Sequence, residues 1–430
     1  MRYNTIDPTF FTENRKQFTT LLPPGSIAIF HSNDVFPRNG DQNFPFRQQS
    51  DLFYLSGLDQ EETILVLAPG HPDEGMREVA FVTETNEKIA IWEGQKLTKE
   101  KATAISGIKK IQWTRDFDIA LKELIIWAKH VYLNSNEYPK YSNPVPYKDL
   151  RFARELKEEY PAHNYERSAP LMLELRKIKK PIEVELIRRA GEITGKAFDR
   201  VLKTVRPGTM EYEVQAEIEY AFAMNRATGP AYRPIVAAGE NSCVLHYIDN
   251  NQVCRDGELL LMDFGAEYAN YAADITRTIP VNGKFTTRQK ACYEAVLRVH
   301  DKAIQLLRPG ITIDEFNKEV NKMMEKEMIG LGLFSEADVK SQDANKPLYM
   351  KYFMHGTAHP LGLDVHDVGS KYDPVEAGMV LTCEPGLYIR EEKIGIRIED
   401  DILVTDNAPV NLTGQVPVKV EEIEALMNRE

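Results

Sequence analysis

The chain has 430 residues, 43% hydrophobic and 27% charged, with a formal net charge of −12. That length allows two or three domains of about 100–200 residues, and the apolar and charged fractions exclude a disordered, collagen-like or low-complexity chain. The acidic balance argues against holding a nucleic acid backbone. Four scattered cysteines without a Cys-x-x-Cys pair read as reduced thiols rather than a disulfide framework.

The first eight residues, Met1 to Pro8, carry no apolar run of the secretory kind. Apolar runs such as Leu259–Met262 are far shorter than the roughly 20 residues a membrane span needs. A cytoplasmic protein with no membrane contact is expected.

In chain order, Ile64–Ala68, ending at Pro69-Gly70, reads as a strand and a turn. Val79–Val82 and Val131–Leu133 read the same way. Between them, Phe117, Ala120, Leu121, Leu124, Ile125 and Ala128 have helical spacing. Strands alternating with helices predict a small α/β domain here. The prolines around Pro144, and then Pro161 and Pro170, place a linker within 160–175, giving domains 1–170 and 171–430. Pro181 then opens a long helix with Leu186, Ala190, Ile193, Ala197 and Val201 on one face, stopped by Pro207-Gly208.

The second part echoes itself. Arg206-Pro207-Gly208 precedes Glu211 and an amphipathic run, and Arg308-Pro309-Gly310 precedes Glu315 and another. A duplicated α/β unit would produce this, and so would two ordinary Pro-Gly turns between helices.

No His-Glu-x-x-His, Gly-x-Ser-x-Gly or phosphate-loop motif occurs. What stands out is acids and histidines inside apolar segments. Leu259–Met262 runs into Asp263, and Asp274 follows in Ala272-Ala273-Asp274-Ile275; a turn within Gly265–Asn270 would bring the two together. His355, His359 and His366 fall in one segment shaped by Gly356 and Pro360, which predicts a loop or bulged strand. Glu384 ends the strand-like Val380–Cys383 and is followed by Pro385-Gly386. In Ile394–Glu399, the isoleucines share one face while Arg397 and Glu399 share the other, towards solvent or a site. Cys383, next to Glu384, would point to the opposite face of its strand as a core residue. Four carboxylates and one imidazole form a hard to borderline donor set suited to divalent Mn, Co, Fe or Zn. Five such ligands suit two ions sharing carboxylates.

These residues match a known pattern. In its order of Asp263, Asp274, His359, Glu384 and Glu399, the chain resembles the pita-bread metallopeptidases. Met354-His355-Gly356 and Gly362–Gly369 resemble their Xaa-Pro aminopeptidase branch, and Phe46–Gly57 resembles that branch's N-terminal domain. The resemblance implies a small α/β N-terminal domain followed by a pita-bread catalytic domain of two related α/β halves. It implies two divalent metal ions, manganese foremost, with Asp263 on one, Asp274 and Glu399 bridging, and His359 and Glu384 on the other. It implies a metal-activated water as nucleophile, Glu384 as proton carrier, and His355, His366 and His246 acting on substrate. Arg397 would orient the acids or shape the substrate end. The implied activity is release of the N-terminal residue from peptides with proline second. Prolidase, which cleaves only dipeptides, and a metal-free binding protein are the alternatives. A homo-oligomer, dimer or tetramer, is also implied, with Trp92 reaching a neighbouring subunit.

Overall fold

The computed structural model describes residues 3–141 and 144–428. Met1 and Arg2, part of the stretch read for a signal, lie outside the described residues. The chain divides into two compact units, one of Asn4–Arg176, the other running from Lys177 and taking in Tyr3.

The first unit is built on a six-stranded mixed sheet. Its order is Lys110–Trp113, Glu78–Val82, Ile64–Leu67, Ser26–His31, His130–Leu133 and Asn164–Arg167. Ser26–His31 is buried along its whole length, as a strand covered on both faces must be. It pairs antiparallel with Ile64–Leu67 and parallel with His130–Leu133. The helix Phe117–Trp127 packs Phe117, Ala120, Leu121, Leu124 and Ile125 onto Ile27, Ile29, Val66 and Phe81 of the sheet. Most of the expected linker over 160–175 is instead regular structure. Asn164–Arg167 joins the sheet edge parallel to His130–Leu133, and Ala169–Arg176 is a helix. The misleading prolines, Pro161 and Pro170, lie just outside the strand and in the first helical turn, where a missing N–H costs little.

In the second unit, the helix Pro181–Thr204 buries all five residues of its expected apolar face. Each fully buried Leu, Ile or Val there contributes about 1.5–3 kcal/mol. Its Thr194 Oγ1 accepts from the N–H of Ala266 at 2.9 Å, tying helix to sheet. The strands Ile235–Ala238, Leu259–Phe264 and Ile275–Pro280 form an antiparallel sheet. Asp263 pairs across with Thr276. The connection is longer than one turn: a ribbon of Ala266–Tyr268 and Tyr271–Ala272 reverses at Ala269 and Asn270, both at positive φ. The ribbon can fold back only because position 265 lacks a side chain. A Cβ on Gly265 would lie 1.7 Å from the Ala273 carbonyl oxygen.

The internal echo is structural. Gly208 and Gly310 take φ of 99° and 97°. Their N–H groups donate to Cys254 and Val375 carbonyls, each at 2.9 Å. The helices Glu211–Met224 and Ile313–Gly330 follow. The pairing of acids is corrected by this register. Met210 and Thr312 are the N-caps, so Glu315 corresponds to Glu213, and both close a capping box. Glu211 corresponds to the buried Ile313. In the second half, Val380–Cys383 pairs with Asp400–Leu403, and Gly386–Ile389 with Ile394–Arg397. A bridge between Thr276 and Glu399 joins the halves.

All four cysteines are free and buried. Among the described residues, no helix is long and apolar enough to cross a membrane.

Gly265→Ala tests the ribbon. It is expected to lower the thermal midpoint by roughly 6–12 °C, the shift that a loss of about 3 kcal/mol produces in a unit of this size. Gly229→Ala, where a Cβ meets nothing within 4 Å, is expected to leave the midpoint nearly unchanged. Equal midpoints for the two variants would contradict the close-approach argument.

Candidate metal centre

The five expected ligands come from the ends of strands and from one strapped loop. Asp263 is the penultimate residue of Leu259–Phe264, and Asp274 immediately precedes Ile275–Pro280. The loop carrying His359 is tied to Val380–Cys383: Thr382 Oγ1 accepts from the His359 N–H at 3.1 Å, and the Thr382 N–H donates to the His359 carbonyl at 2.9 Å. Glu384 follows that strand, its N–H donating to the Thr357 carbonyl at 2.9 Å. Glu399 follows Ile394–Arg397, its N–H donating to the Thr276 carbonyl at 3.1 Å.

Asp274, His359 and Glu399 place ligand atoms within 4.8 Å of one another. His359 Nε2 lies 3.5 Å from Asp274 Oδ2 and 3.9 Å from Glu384 Oε1. Asp263 joins through Tyr232, whose hydroxyl lies 2.5 Å from both Asp263 Oδ1 and Asp274 Oδ1. Solvent is excluded as the destination of Arg397 and Glu399, which are 4% and 2% exposed. The side chains of His359, Glu384 and His355 keep 17–18% of their exposure. The cluster thus has a closed floor, made by Asp274 and Glu399, and an open side.

The electrostatics follow from this crowding. Burial, reinforced by Asp274, Glu384 and Asp263, holds the Glu399 carboxyl well above the usual carboxylate range. Burial likewise pushes Glu384 up to about 7, against the pull of His359 and Arg397. Asp274 is raised by burial too, although its contact with His359 opposes this. For His359, burial disfavours the charge, but Asp274 and Glu384 outweigh it and raise the imidazole to about 9. Without a cation, mutual repulsion and burial raise the affinity of these carboxyls for protons. Divalent ions among the oxygens would replace those protons, so the donor set fits a metal centre.

The supporting contacts also fit. His359 Nδ1 lies 3.0 Å from the Pro360 carbonyl. Donation there leaves Nε2, turned towards Asp274 and Glu384, as the nitrogen that would bind a metal once its proton is displaced. Arg397 Nη2 pairs with Asp263 Oδ2 at 2.5 Å, Nε donates to Thr276 Oγ1 at 3.1 Å, and Nη1 to the Tyr388 hydroxyl at 2.9 Å. Thr276 Oγ1 donates to Glu399 Oε2 at 2.6 Å. The Tyr388 hydroxyl lies 2.8 Å from His355 Nε2, and His355 Nδ1 lies 2.7 Å from the Gly356 carbonyl. Burial, with the nearby Arg397 charge, lowers His355 to about 4, so it is neutral at pH 7. A neutral ring donating through Nδ1 accepts from Tyr388 through Nε2.

His366 is exposed, with its ring edge-on to His359 at 4.3 Å. His246 is exposed on a segment whose Leu245 and Tyr247 pack with Tyr388 and Met354. Cys383 is buried. Trp92 belongs to the other unit, on the helix Glu87–Glu93, and is 89% exposed. Tyr232, Thr276 and Tyr388 were not among the expected site residues. Tyr232, in Pro230-Ala231-Tyr232-Arg233-Pro234, has no periodic signal. The strand after Pro385-Gly386 did hold a clue to Tyr388, a single polar-tipped residue among Leu387 and Ile389.

Comparison with known proteins places the chain in a peptidase family. Residues 185–406 match the model of metallopeptidase family M24, and residues 11–132 match the aminopeptidase P N-terminal domain. The chain is 38% identical to the Xaa-Pro aminopeptidase of Escherichia coli strain K12, covering 97% of both chains. Among solved structures, it is similar to E. coli aminopeptidase P with the inhibitor Pro-Leu, at a TM-score of 0.88 and 35% identity, covering 99% of each chain. It is also similar to zinc-substituted E. coli aminopeptidase P in complex with product, at a TM-score of 0.87 and 36% identity, with 99% of each chain covered. The chain belongs to metallopeptidase family M24, with an aminopeptidase P N-terminal domain and a pita-bread domain, and its site is one for divalent metal.

Asp274→Ala is expected to weaken divalent-metal binding by at least about tenfold, since even supporting contacts to ligands are worth 10–100-fold. Elemental analysis of the folded variant reads this directly. A folded Asp274→Ala protein with its full metal content would contradict the assignment.

Proposed function

We propose that this metallopeptidase removes the N-terminal residue from peptides whose second residue is proline. The observation that carries the reading is the convergence of four carboxylates and His359 beside the His355–Tyr388–Arg397 chain, in a protein similar over its whole length to Xaa-Pro aminopeptidases.

Two divalent ions, manganese foremost and cobalt, zinc or iron as substitutes, would be held by Asp263, Asp274, His359, Glu384 and Glu399. When bound, they supply Lewis acidity and a water of lowered pKa. Asp263 would hold one ion, Asp274 and Glu399 both, and His359 with Glu384 the other. Glu384 lies on the open side, where it can take a proton from the attacking water and return it to the departing proline nitrogen. Neutral His355, whose Nδ1 proton is held by the Gly356 carbonyl, stands beside Glu384 with Nδ1 3.7 Å from its carboxylate, and would act on substrate by turning that proton from the carbonyl. His366 and His246, both exposed, would donate to the substrate and to charge developing on the scissile carbonyl. The contacts of Arg397 favour the orienting role: it holds Asp263, Thr276 and Tyr388 and has no exposed face.

Proline suits such a site. Its tertiary amide lacks an N–H and its ring fixes φ, so a cleft that needs no N–H at the scissile bond gains from the ring. The free amine, set against an ion or an acid, counts one residue from the end. The acidic chain fits turnover of cytoplasmic peptides, and a homo-oligomer, dimer or tetramer, could use exposed Trp92 at a neighbouring copy.

With manganese supplied, Xaa-Pro-Xaa peptides are expected to lose one residue, and Xaa-Ala-Xaa peptides to react far more slowly. Preference for Xaa-Ala-Xaa, or activity confined to Xaa-Pro dipeptides, would overturn the assignment. His366→Ala is expected to cut turnover by about two to three orders of magnitude, as loss of one transition-state donor does, with metal content intact. His359→Ala is expected to lose metal as well. Equal metal loss in both variants would refute the division of roles.

A further inference from the structure

The first helix after the Arg206-Pro207-Gly208 turn carries one acid more than its cap requires. Glu213 already caps it: its carboxylate accepts from the Met210 N–H at 2.8 Å, as Glu315 does from Thr312 at 2.9 Å in the other half. Glu211, at the position of Ile313, is fully buried. A buried carboxylate in place of an isoleucine is costly unless every lone pair is used.

Its four hydrogen bonds all go to one stretch of chain. Oε1 accepts from the Ala238 N–H at 2.8 Å and from Asn241 Nδ2 at 3.1 Å. Oε2 accepts from the Tyr247 hydroxyl at 2.7 Å and from the Gln252 N–H at 2.9 Å. These donors lie on both sides of His246. One helical turn on, Gln215 Oε1 accepts from Asn250 Nδ2 at 2.8 Å, and Asn250 Oδ1 accepts from the Val236 N–H at 3.1 Å. Two acceptors spaced i, i+4 on one helix face thus clasp the segment at 238–241 and again at 247–252. Leu245 and Tyr247 rest on the cluster containing Tyr388, the partner of His355.

We infer that Glu211 is a positioning residue that fixes where His246 stands at the open side of the metal centre, which rests on the role proposed above for His246. With all four acceptor directions occupied, Glu211 has none left for substrate or metal. It acts only through the segment it ties. A Gln cannot replace it, because an amide has one acceptor oxygen and its NH₂ would face two donors.

A double-mutant cycle tests this on the metal-loaded enzyme with an Xaa-Pro-Xaa peptide. Glu211→Gln is expected to lower kcat/KM by about tenfold or more, the size of coupling found within one hydrogen-bonded network, with metal content unchanged. In a His246→Ala background, the same substitution is expected to cost almost nothing further. Losses that multiply in the double variant would overturn the inference while leaving the role of His246 standing. Full activity in His246→Ala alone would instead remove that role and the inference with it. If Glu211→Gln does not fold, Tyr247→Phe, which deletes one of the four bonds, takes its place in the cycle. A smaller loss of about threefold, again absent in the His246→Ala background, is then expected, and a multiplying loss again overturns the inference.

Discussion

Four carboxylates meeting in one mostly buried space is the condition that organises this structure. Desolvation disfavours each charge, and each charge disfavours the others. The fold relieves the repulsion with donors. Arg397 faces Asp263, Tyr232 stands between Asp263 and Asp274, and Thr276 holds Glu399. What those donors leave uncompensated is a demand for positive charge at one point, which divalent ions meet. The neighbouring imidazoles divide by the same logic. His359, facing two acids, is raised to about 9 in spite of its burial, whereas burial, helped by Arg397, lowers His355 to about 4.

The acids are held in place from behind by a second buried network. Arg277 is fully buried, and its guanidinium donates to Asp400 Oδ1 and to the carbonyls of Glu399, Thr276, Pro417 and Val416. Asp400 stays below the usual carboxylate range: burial works against its charge, but Arg277 and His300 overcome it. Adjacent Asp401 accepts the Asp274 N–H at 3.2 Å. Arg277 bonds the carbonyls of Thr276 and Glu399 at once, which fixes the bridge between the two halves. The spacing of the acids on either side is thereby a property of the backbone rather than of flexible side chains.

The halves share a turn and a capped helix, yet use them differently. Ile313 adds to the core behind the second half, while Glu211 at the matching position ties down a segment next to the site. Duplication thus supplied two similar scaffolds, and single residues at matching positions turned one of them to support.

The strand and helix periods, the long helix from Pro181 and the echo of Arg-Pro-Gly were legible because each depends on local spacing. The acids and the histidine that converge were legible too, because an acid placed at the end of an apolar strand is conspicuous where burial penalises it. The edge strand Asn164–Arg167 was hidden, since a single Tyr165 among Asn164, Glu166 and Arg167 is too little for an alternation, and the strand takes its order from His130–Leu133 alongside. The ionic balance at the centre was also hidden. Whether Arg397 and Glu399 faced solvent or a site could not follow from alternation, which defines two faces and not what covers them. Tyr232, Tyr388 and Glu211 belong to the same class. Their chemistry was written in the chain, but a hydrogen bond between residues 31 to 42 positions apart, as from Tyr232 to Asp263 and Asp274, exists only once the sheet has closed. The sequence by itself determined which side chains could hold charge or metal. The tertiary structure decided which of them share a space small enough for their charges to interact.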